Sequence, residues 1–496
     1  MAHDLLNRRA FLRASCVALG GGVLSGCVTR VSRTTRETSR PNVLFIAVDD
    51  LRPQLGCYGN PVVVSPNIDR LARQGLVFER TYCQQAICMS SRACLMSGYR
   101  PNMGEIYKNG PLYKHVPDAL SMNKHFVANG YETVTLGKVY HHRSDEKQGW
   151  SREAFHPQGA WEGRGYLSPE SIARVREYAQ EHPNASRKGM GPAFECADVP
   201  DEAYPDGMLA EQAIRELNRF QDRAFFLAVG FKKPHLPFNA PKAYWDLYEE
   251  ADIDLATNPF APEGAPDEAL TNWGELRGYY GMPKEGPVPD ELARKLIHGY
   301  YACVSYTDAQ IGRLLNELDR LKLSDNTIVV LWGDHGWKLG EHGMWCKHTN
   351  FELDTHVPLI IRAPDMAARG QRTRALTEVI DIYPTLCELA GLELPGHLEG
   401  LSMVPLLDEP ERAWKKAAFS QYPRGAVMGY SMRTDRYRYT EWKHMKSAAV
   451  AARELYDHQN DPQENTNIAD APANRALVEE LSRMLHSGYI DPSARR

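Results

Sequence analysis

Acidic and basic side chains stand directly behind apolar runs at three places in this chain. Asp49 and Asp50 follow Asn42–Val48 (NVLFIAV), Lys138 and His141 follow residues 133–136, and Asp334 and His335 follow residues 327–332. In an open parallel sheet, ligands gather at the carboxyl ends of the strands, so these groups are expected to converge on one site. Three carboxylates without a cysteine or histidine triad suit a hard, oxygen-seeking divalent cation such as Ca²⁺ or Mg²⁺. Acidic residues are common after strands as turn or cap residues, and taken alone Asp49 and Asp50 read that way. Two acidic strand ends in one chain shift the reading towards a metal.

Such groups need a sheet to hold them in place. Asn42–Val48 is a continuous apolar, β-branched run of the kind expected for a buried parallel strand. Ser65 and Pro66 then cap a helix through Gln74, with Gly75 as its stop. Apolar runs at 133–136, 225–229 and 327–332 alternate with helical patterns such as 293–318. The alternation predicts an α/β fold, a mostly parallel sheet sandwiched by helices. Residues 143–205 and 251–292 are rich in Pro, Gly and charge and read as long loops over the sheet rim, where pockets are built. A helix ending at Gly391 closes the large domain, placed at 42–410. Residues 430–442 alternate as strands, and a helix follows over 474–485, giving a smaller C-terminal α+β subdomain at 411–496.

At 496 residues, 43% of them hydrophobic, the chain can bury a large core. Its formal charge is −5, and residues 1–26 carry Arg8, Arg9 and Arg13 against Asp4, so their removal makes the remainder more negative still. That argues against nucleic-acid binding and requires any anionic substrate to be held by a local cluster of cations. Asn7 to Arg13 precede a short apolar run that is too short to span a bilayer. The paired arginines resemble a twin-arginine signal, and Leu24-Ser25-Gly26-Cys27 resembles a bacterial lipobox. Residues 1–27 therefore read as an export signal, with Cys27 lipidated as the only membrane attachment and residues 28–41 as a tether. The expected location is the periplasm or surface of a bacterium. The ten cysteines show no zinc-type CxxC pairing; with Cys16 lost and Cys27 lipidated, eight remain.

Cys88 lies in Ala86-Ile87-Cys88-Met89-Ser90-Ser91-Arg92-Ala93-Cys94-Leu95-Met96-Ser97-Gly98. This segment resembles the signature of the type I, formylglycine-dependent sulfatases, in which a Cys or Ser, any residue, Pro, Ser and Arg precede a short helix. Ser90 stands where that family has Pro or sometimes Ala. Asp49-Asp50-Leu51-Arg52-Pro53, Gly56-Cys57-Tyr58-Gly59, Gly137-Lys138-Val139-Tyr140-His141, Lys233-Pro234-His235, Asp334-His335-Gly336-Trp337 and Glu454-Leu455-Tyr456-Asp457 are similar to its iduronate-2-sulfatase branch. The resemblance spans most of residues 41–470. It implies an alkaline-phosphatase-like fold and a sulfatase whose nucleophile is formylglycine (3-oxoalanine) made from Cys88 by a formylglycine-generating enzyme. It also implies Ca²⁺ held by Asp49, Asp50, Asp334, His335 and the modified Cys88. Arg92 would hold the diol, Lys138 and Lys347 would clamp sulfuryl oxygens, His235 would protonate the leaving oxygen, and His141 would take a proton in the second step. With Cys88 catalytic, the seven other cysteines are an odd number, so at least one stays unpaired.

Trp337, His348 and Arg100 are candidates for the sugar subsite, together with residues 251–292. The resemblance implies a sulfated uronic acid or another sulfated saccharide from a polysaccharide. Two competing readings differ in kind. A phosphomonoester or phosphonate hydrolase would share this type of site, but those lacking formylglycine carry a second, zinc-type metal cluster that has no counterpart among the motifs here. A lipoprotein that binds sulfated glycans without turnover would result if Cys88 stayed a thiol.

Overall fold

The computed structural model describes residues 40–183, 190–220 and 223–490. The expected signal peptide and Cys27, and the tether up to residue 39, lie outside them. Long apolar stretches without a polar break become the central strands. The sheet contains β1 (Asn42–Val48), β2 (Leu76–Tyr82), β3 (Glu132–Gly137), β4 (Phe225–Phe231), β5 (Thr327–Gly333), β6 (His356–Arg362) and β7 (Gln371–Glu378). Their spatial order is β7-β2-β6-β5-β1-β4-β3. Only β6 runs against the others, pairing antiparallel with both β5 and β2. Every residue of β1, β4 and β5 is buried, which is why these strands show no polar alternation.

Alternate residues of β1 feed two separate cores. Leu44, Ile46 and Val48 pack with Leu71, Leu209 and Leu296, from helices Pro66–Gln74, Pro205–Arg219 and Asp290–Arg320. Val43, Phe45 and Ala47 face Leu95, Phe126 and Leu386, from helices Cys88–Ser97, Met122–Ala128 and Ile382–Leu389. Each fully buried aliphatic or Phe side chain contributes roughly 1.5–3 kcal/mol, so the two cores together lock the sheet between its helices.

Strand register aligns the polar groups. Val48 is paired with both Phe231 and Gly333, and Gly137 with Gly230. One residue further on, Asp49, Lys232, Asp334 and Lys138 all emerge at the same carboxyl edge. The fit between β3 and β4 is close there: a Cβ on Gly230 would lie 2.1 Å from the backbone carbonyl of Lys138. Gly230→Ala must push the strands apart, and the expected cost is about 1–3 kcal/mol, measured as a lower urea midpoint with an unchanged slope.

The regions expected to be long loops hold more structure than their composition suggested. Residues 143–205 contain the helix Pro169–Glu181 and the strand Phe194–Ala197. The helix starts where the Ser168 side chain accepts from the Ser171 N–H, with Pro169 in the first turn. Residues 251–292 contain only short turns and the single-turn helix Gly274–Arg277 before the long helix begins at Asp290. Ser65 occupies the N-cap position, but its hydroxyl accepts from the Gly56 N–H at 3.0 Å and makes no capping bond.

A second sheet is wholly antiparallel: Ala418–Arg424, Val427–Arg433, Tyr437–His444 and Val450–Asp457 pair in sequence order. The helix Arg475–Leu485 covers Phe419, Met432, Tyr439 and Leu455 with Leu481 and Leu485. Among the described residues no helix is long and apolar enough to cross a membrane. The eight cysteines from Cys57 to Cys387 are all free thiols.

Candidate active site

Helix Cys88–Ser97 follows the loop after β2, and every one of its residues is buried. Its first residue, Cys88, is therefore delivered to the sheet edge inside the protein. Cys88 Sγ lies 3.2 Å from His335 Nε2 and 3.9 Å from Asp50 Oδ1. His335 Nδ1 donates to the Gly336 carbonyl at 3.0 Å, so Nε2 is the atom turned to the cluster. One helical turn after Cys88, Arg92 donates to Asp334 Oδ2 at 2.8 Å and to Asp49 Oδ1 at 3.0 Å. The Asp334 Oδ1 atom accepts the backbone N–H groups of Asp50 and His335, both at 3.0 Å. Asp50 adopts φ 60°, a left-handed conformation that Asp tolerates better than most residues and that turns its carboxylate back to the cluster.

Two lysines reach the same carboxylates. Lys138 pairs with Asp49, and Lys347 sits 3.0 Å from both Asp50 and Glu275. Cys346 and His348, on either side of Lys347, both have positive φ (67° and 90°), the kind of local strain that marks functional loops. His235 Nδ1 donates to the Leu236 carbonyl, leaving Nε2 3.2 Å from Glu275 Oε1 and 3.9 Å from Asp50 Oδ2. The structure thus brings together Asp49, Asp50, Cys88, Arg92, Lys138, His235, Asp334, His335 and Lys347. His141 joins Lys138 on the wall of an adjoining cavity of about 560 Å³.

Charge in this cluster is unevenly neutralised. Burial pushes Asp49 up, but Lys138 and Arg92 outweigh it and hold its carboxyl well below the usual range. For Asp50, burial wins: with Asp49 and Cys88 adding repulsion, its carboxyl is raised well above the usual range despite Lys347. Against burial, Asp334 and Cys88 hold the His335 imidazole up at about 10. The cluster favours added positive charge, which is why the His335 imidazole is raised. A divalent cation can supply that charge. Asp49, Asp50, Cys88 and His235 offer ligand atoms within 4.8 Å of one another, as do Cys88, Asp334 and His335. Three wholly buried carboxylates fit a hard cation.

Elsewhere the electrostatics go the other way. Burial and the Lys347 ammonium push His235 well below the ordinary imidazole value, with Glu275 opposing them. His141 sits at the exposed cavity mouth, where desolvation of its ring and then the Lys138 charge hold it down to about 4.

The sugar-subsite candidates fare differently. Trp337 is only 1% exposed, its ring lying beneath Lys347 with Nζ 4.7 Å from the centroid, where it supports the lysine. The Arg100 guanidinium grips Glu378 at 2.6 and 2.7 Å and packs over Phe419, tying the end of β7 to the second sheet. His348 is half-buried beside Lys347, its ring 5.9 Å from that of Tyr422, and burial with Lys347 lowers it to about 3. Glu275 went unnoticed in the sequence, because nothing in Trp273-Gly274-Glu275 sets it apart from other acidic loop residues.

Comparison with known proteins places this geometry. The Sulfatase family model matches residues 41–392, and the model for the C-terminal part of N-sulphoglucosamine sulphohydrolase matches residues 340–489. Iduronate 2-sulfatase from Homo sapiens is 34% identical over 539 residues, covering 92% of this chain and 94% of that protein. A solved structure of a protein bound to its substrate, D-glucosamine-2-N,6-O-disulfate, superposes with a TM-score of 0.71 at 24% identity, covering 92% of this chain and all of that one. The phosphonate monoester hydrolase of Agrobacterium radiobacter also superposes at 0.71 and 24%, over 91% and 96% of the two chains. These two likenesses establish the alkaline-phosphatase-like fold. By the family match and the identity along nearly its whole length, the chain belongs to the sulfatase family and is a sulfate ester hydrolase.

Proposed function

We propose that this sulfatase hydrolyses sulfate monoesters of a sulfated sugar, using a formylglycine made from Cys88 and a Ca²⁺ ion. The observation that carries the reading is the position of Cys88, first in a buried helix and within 3.2 Å of His335 at the carboxylate cluster. Asp49, Asp50, Asp334 and His335 would hold the cation, whose charge would offset that of the cluster and of the sulfuryl oxygens. Hydrated formylglycine would supply a geminal diol, one oxygen to attack sulfur and one to expel sulfate.

The remaining work falls to side chains in place. Lys138 and Lys347 offer two ammonium groups, anchored on Asp49 and Asp50, to sulfuryl oxygens that gain charge in the transition state. Arg92 is wholly buried and held on two carboxylates, which fixes positive charge beside position 88. His235 presents Nε2 to the site, and a bound anionic ester raises its proton affinity beyond what Glu275 already contributes. His141, which burial and the Lys138 charge hold down to about 4, lies beside Lys138 on the cavity wall, in position to accept a proton.

That division of labour predicts a leaving-group effect. A sugar alkoxide needs a proton to depart, whereas a nitrophenolate leaves largely unaided. His235→Ala should lose roughly 10²–10⁴-fold in rate on a sulfated sugar and far less on an aryl sulfate. His141→Ala should slow both alike where breakdown of the covalent intermediate limits. Equal losses for His235→Ala on the two substrates would reassign it to sulfate binding.

A sugar substrate is supported by the likenesses to iduronate 2-sulfatase and to the protein complexed with a disulfated glucosamine. A phosphonate monoester hydrolase shares the fold, so kcat/KM for an aryl sulfate against the matching aryl phosphonate decides between the two; a preference for phosphonate overturns our reading. The third acidic group, Glu352, His458 and Glu464, is bridged by the Arg438 guanidinium and is no second metal cluster. Maturation by a formylglycine-generating enzyme, export through residues 1–27 and a lipid on Cys27 complete the proposal. Intact mass separates the enzyme from a glycan-binding lipoprotein with an unmodified thiol.

A further inference from the structure

Most cations at the sheet edge are matched by acids: Lys138 by Asp49, Lys347 by Asp50 and Glu275, and Arg92 by Asp49 and Asp334. Two are not. Lys232, one residue beyond β4, and Arg164 both line the cavity that also contains Lys138 and His141. Among the described residues, no carboxylate comes within ion-pair distance of either. Arg164 donates to the Tyr279 hydroxyl at 2.9 Å, a neutral partner. The acids on the cavity wall are already engaged: Asp206 accepts the backbone N–H groups of Lys232 and Lys233, and Glu146 pairs with His156 at 2.7 Å. Both cations are half-buried. Burial, then repulsion from Lys233, Lys138 and Arg164, brings the Lys232 ammonium down to about 8. Partly desolvated charges without a counter-ion are unfavourable until an anion arrives, and their position beside Lys138 fixes where it would sit.

We propose that Lys232 and Arg164 form a second anion subsite next to the sulfuryl position, selecting a sugar that carries another negative group besides the scissile sulfate. The inference rests on the sulfatase reading of the site. The second group is a carboxylate or a further sulfate, and both offer oxygens to an ammonium and a guanidinium.

The test uses matched saccharides: a sulfated uronic acid with its carboxyl-reduced counterpart, and a disulfated hexosamine with its monosulfated counterpart. Binding to the Cys88→Ala protein is measured by calorimetry and kcat/KM on the wild type. One pair should show a preference of roughly 10–100-fold for the more anionic member, the size expected of a charged hydrogen bond; which pair does so names the group. Lys232→Met and Arg164→Gln should each bring that ratio towards one, while Lys232→Arg should restore it. Equal binding within both pairs, or a preference that survives both substitutions, overturns the subsite. Failure of the sulfatase reading looks different: no sulfate is released from any of the four sugars, whatever the binding ratios.

Discussion

Cys88→Ala should lower sulfate release on the order of 10⁵–10⁶-fold, the scale seen when an enzyme's nucleophile is removed. The loss should come without unfolding. Cys88 is 4% exposed in a helix buried on all sides, and alanine is smaller and a better helix former, so the thiol's contact with His335 is the main interaction removed. Cys88→Ser is the sharper variant. A serine hydroxyl can attack sulfur, but it has no second hydroxyl with which to collapse and expel sulfate. It should therefore take up one sulfate per chain, visible in the intact mass, and then turn over poorly. Neither variant should react with an aldehyde probe, whereas the mature wild type should. Multiple turnovers by Cys88→Ala at the wild-type rate would remove Cys88 from the chemistry.

Much of the site was readable because two rules act on short stretches of chain. β1 and β5 are unbroken apolar runs since both their faces are buried, and the first polar residues after them mark the carboxyl edge. Asp49, Asp50, Asp334 and His335 could thus be placed on one edge before any coordinates. Lys138 was placed there by the same rule, whereas His235, Lys347 and Cys88 needed the family motif, because a single Lys, His or Cys carries no pattern of its own. Glu275 escaped both routes. Its importance lies in its meeting with His235 and Lys347, which are 40 and 72 positions away and share its neighbourhood only after folding. Trp337 and Arg100 show the converse: their types suit sugar binding, and folding sets one beneath Lys347 and pairs the other with Glu378. Side-chain type fixes what a residue can do, and tertiary packing decides whether it is free to do it. The helix Pro169–Glu181 was hidden by composition, since one buried Val175 and one buried Ser171 make only a weak apolar stripe.

Exhaustive chelation should silence the enzyme by roughly 10³-fold or more, since the charge stabilisation of a whole electrophilic site is being removed. Ca²⁺ should restore it, with Mg²⁺ a poorer substitute for this carboxylate set. Stability gives a readout independent of turnover. A ligand that binds only the folded state at a hundredfold over its Kd adds about 2.7 kcal/mol, so the melting temperature should rise on Ca²⁺ addition. Asp334→Ala is a blunt probe here, because Arg92 would keep only Asp49 as an acidic partner inside a fully buried cluster, and breaking a buried pair typically costs about 3–5 kcal/mol. Asp334→Asn preserves the shape and the side-chain oxygen that receives the Asp50 and His335 N–H groups, while deleting one charge and the oxygen that accepts from Arg92. It should fold, lose most of its activity, and lose the Ca²⁺-dependent rise in melting temperature. Proton competition adds a direction. His335 is held at about 10 without a cation because Asp334, Cys88 and Asp50 favour its protonated form against burial. Cation binding at this edge must displace that proton, so apparent affinity should rise with pH through the neutral range and the proton should be released to the buffer. Full turnover after chelation, together with a melting temperature indifferent to Ca²⁺, would refute the metal assignment and leave Arg92, Lys138, Lys347 and His335 to balance the carboxylates.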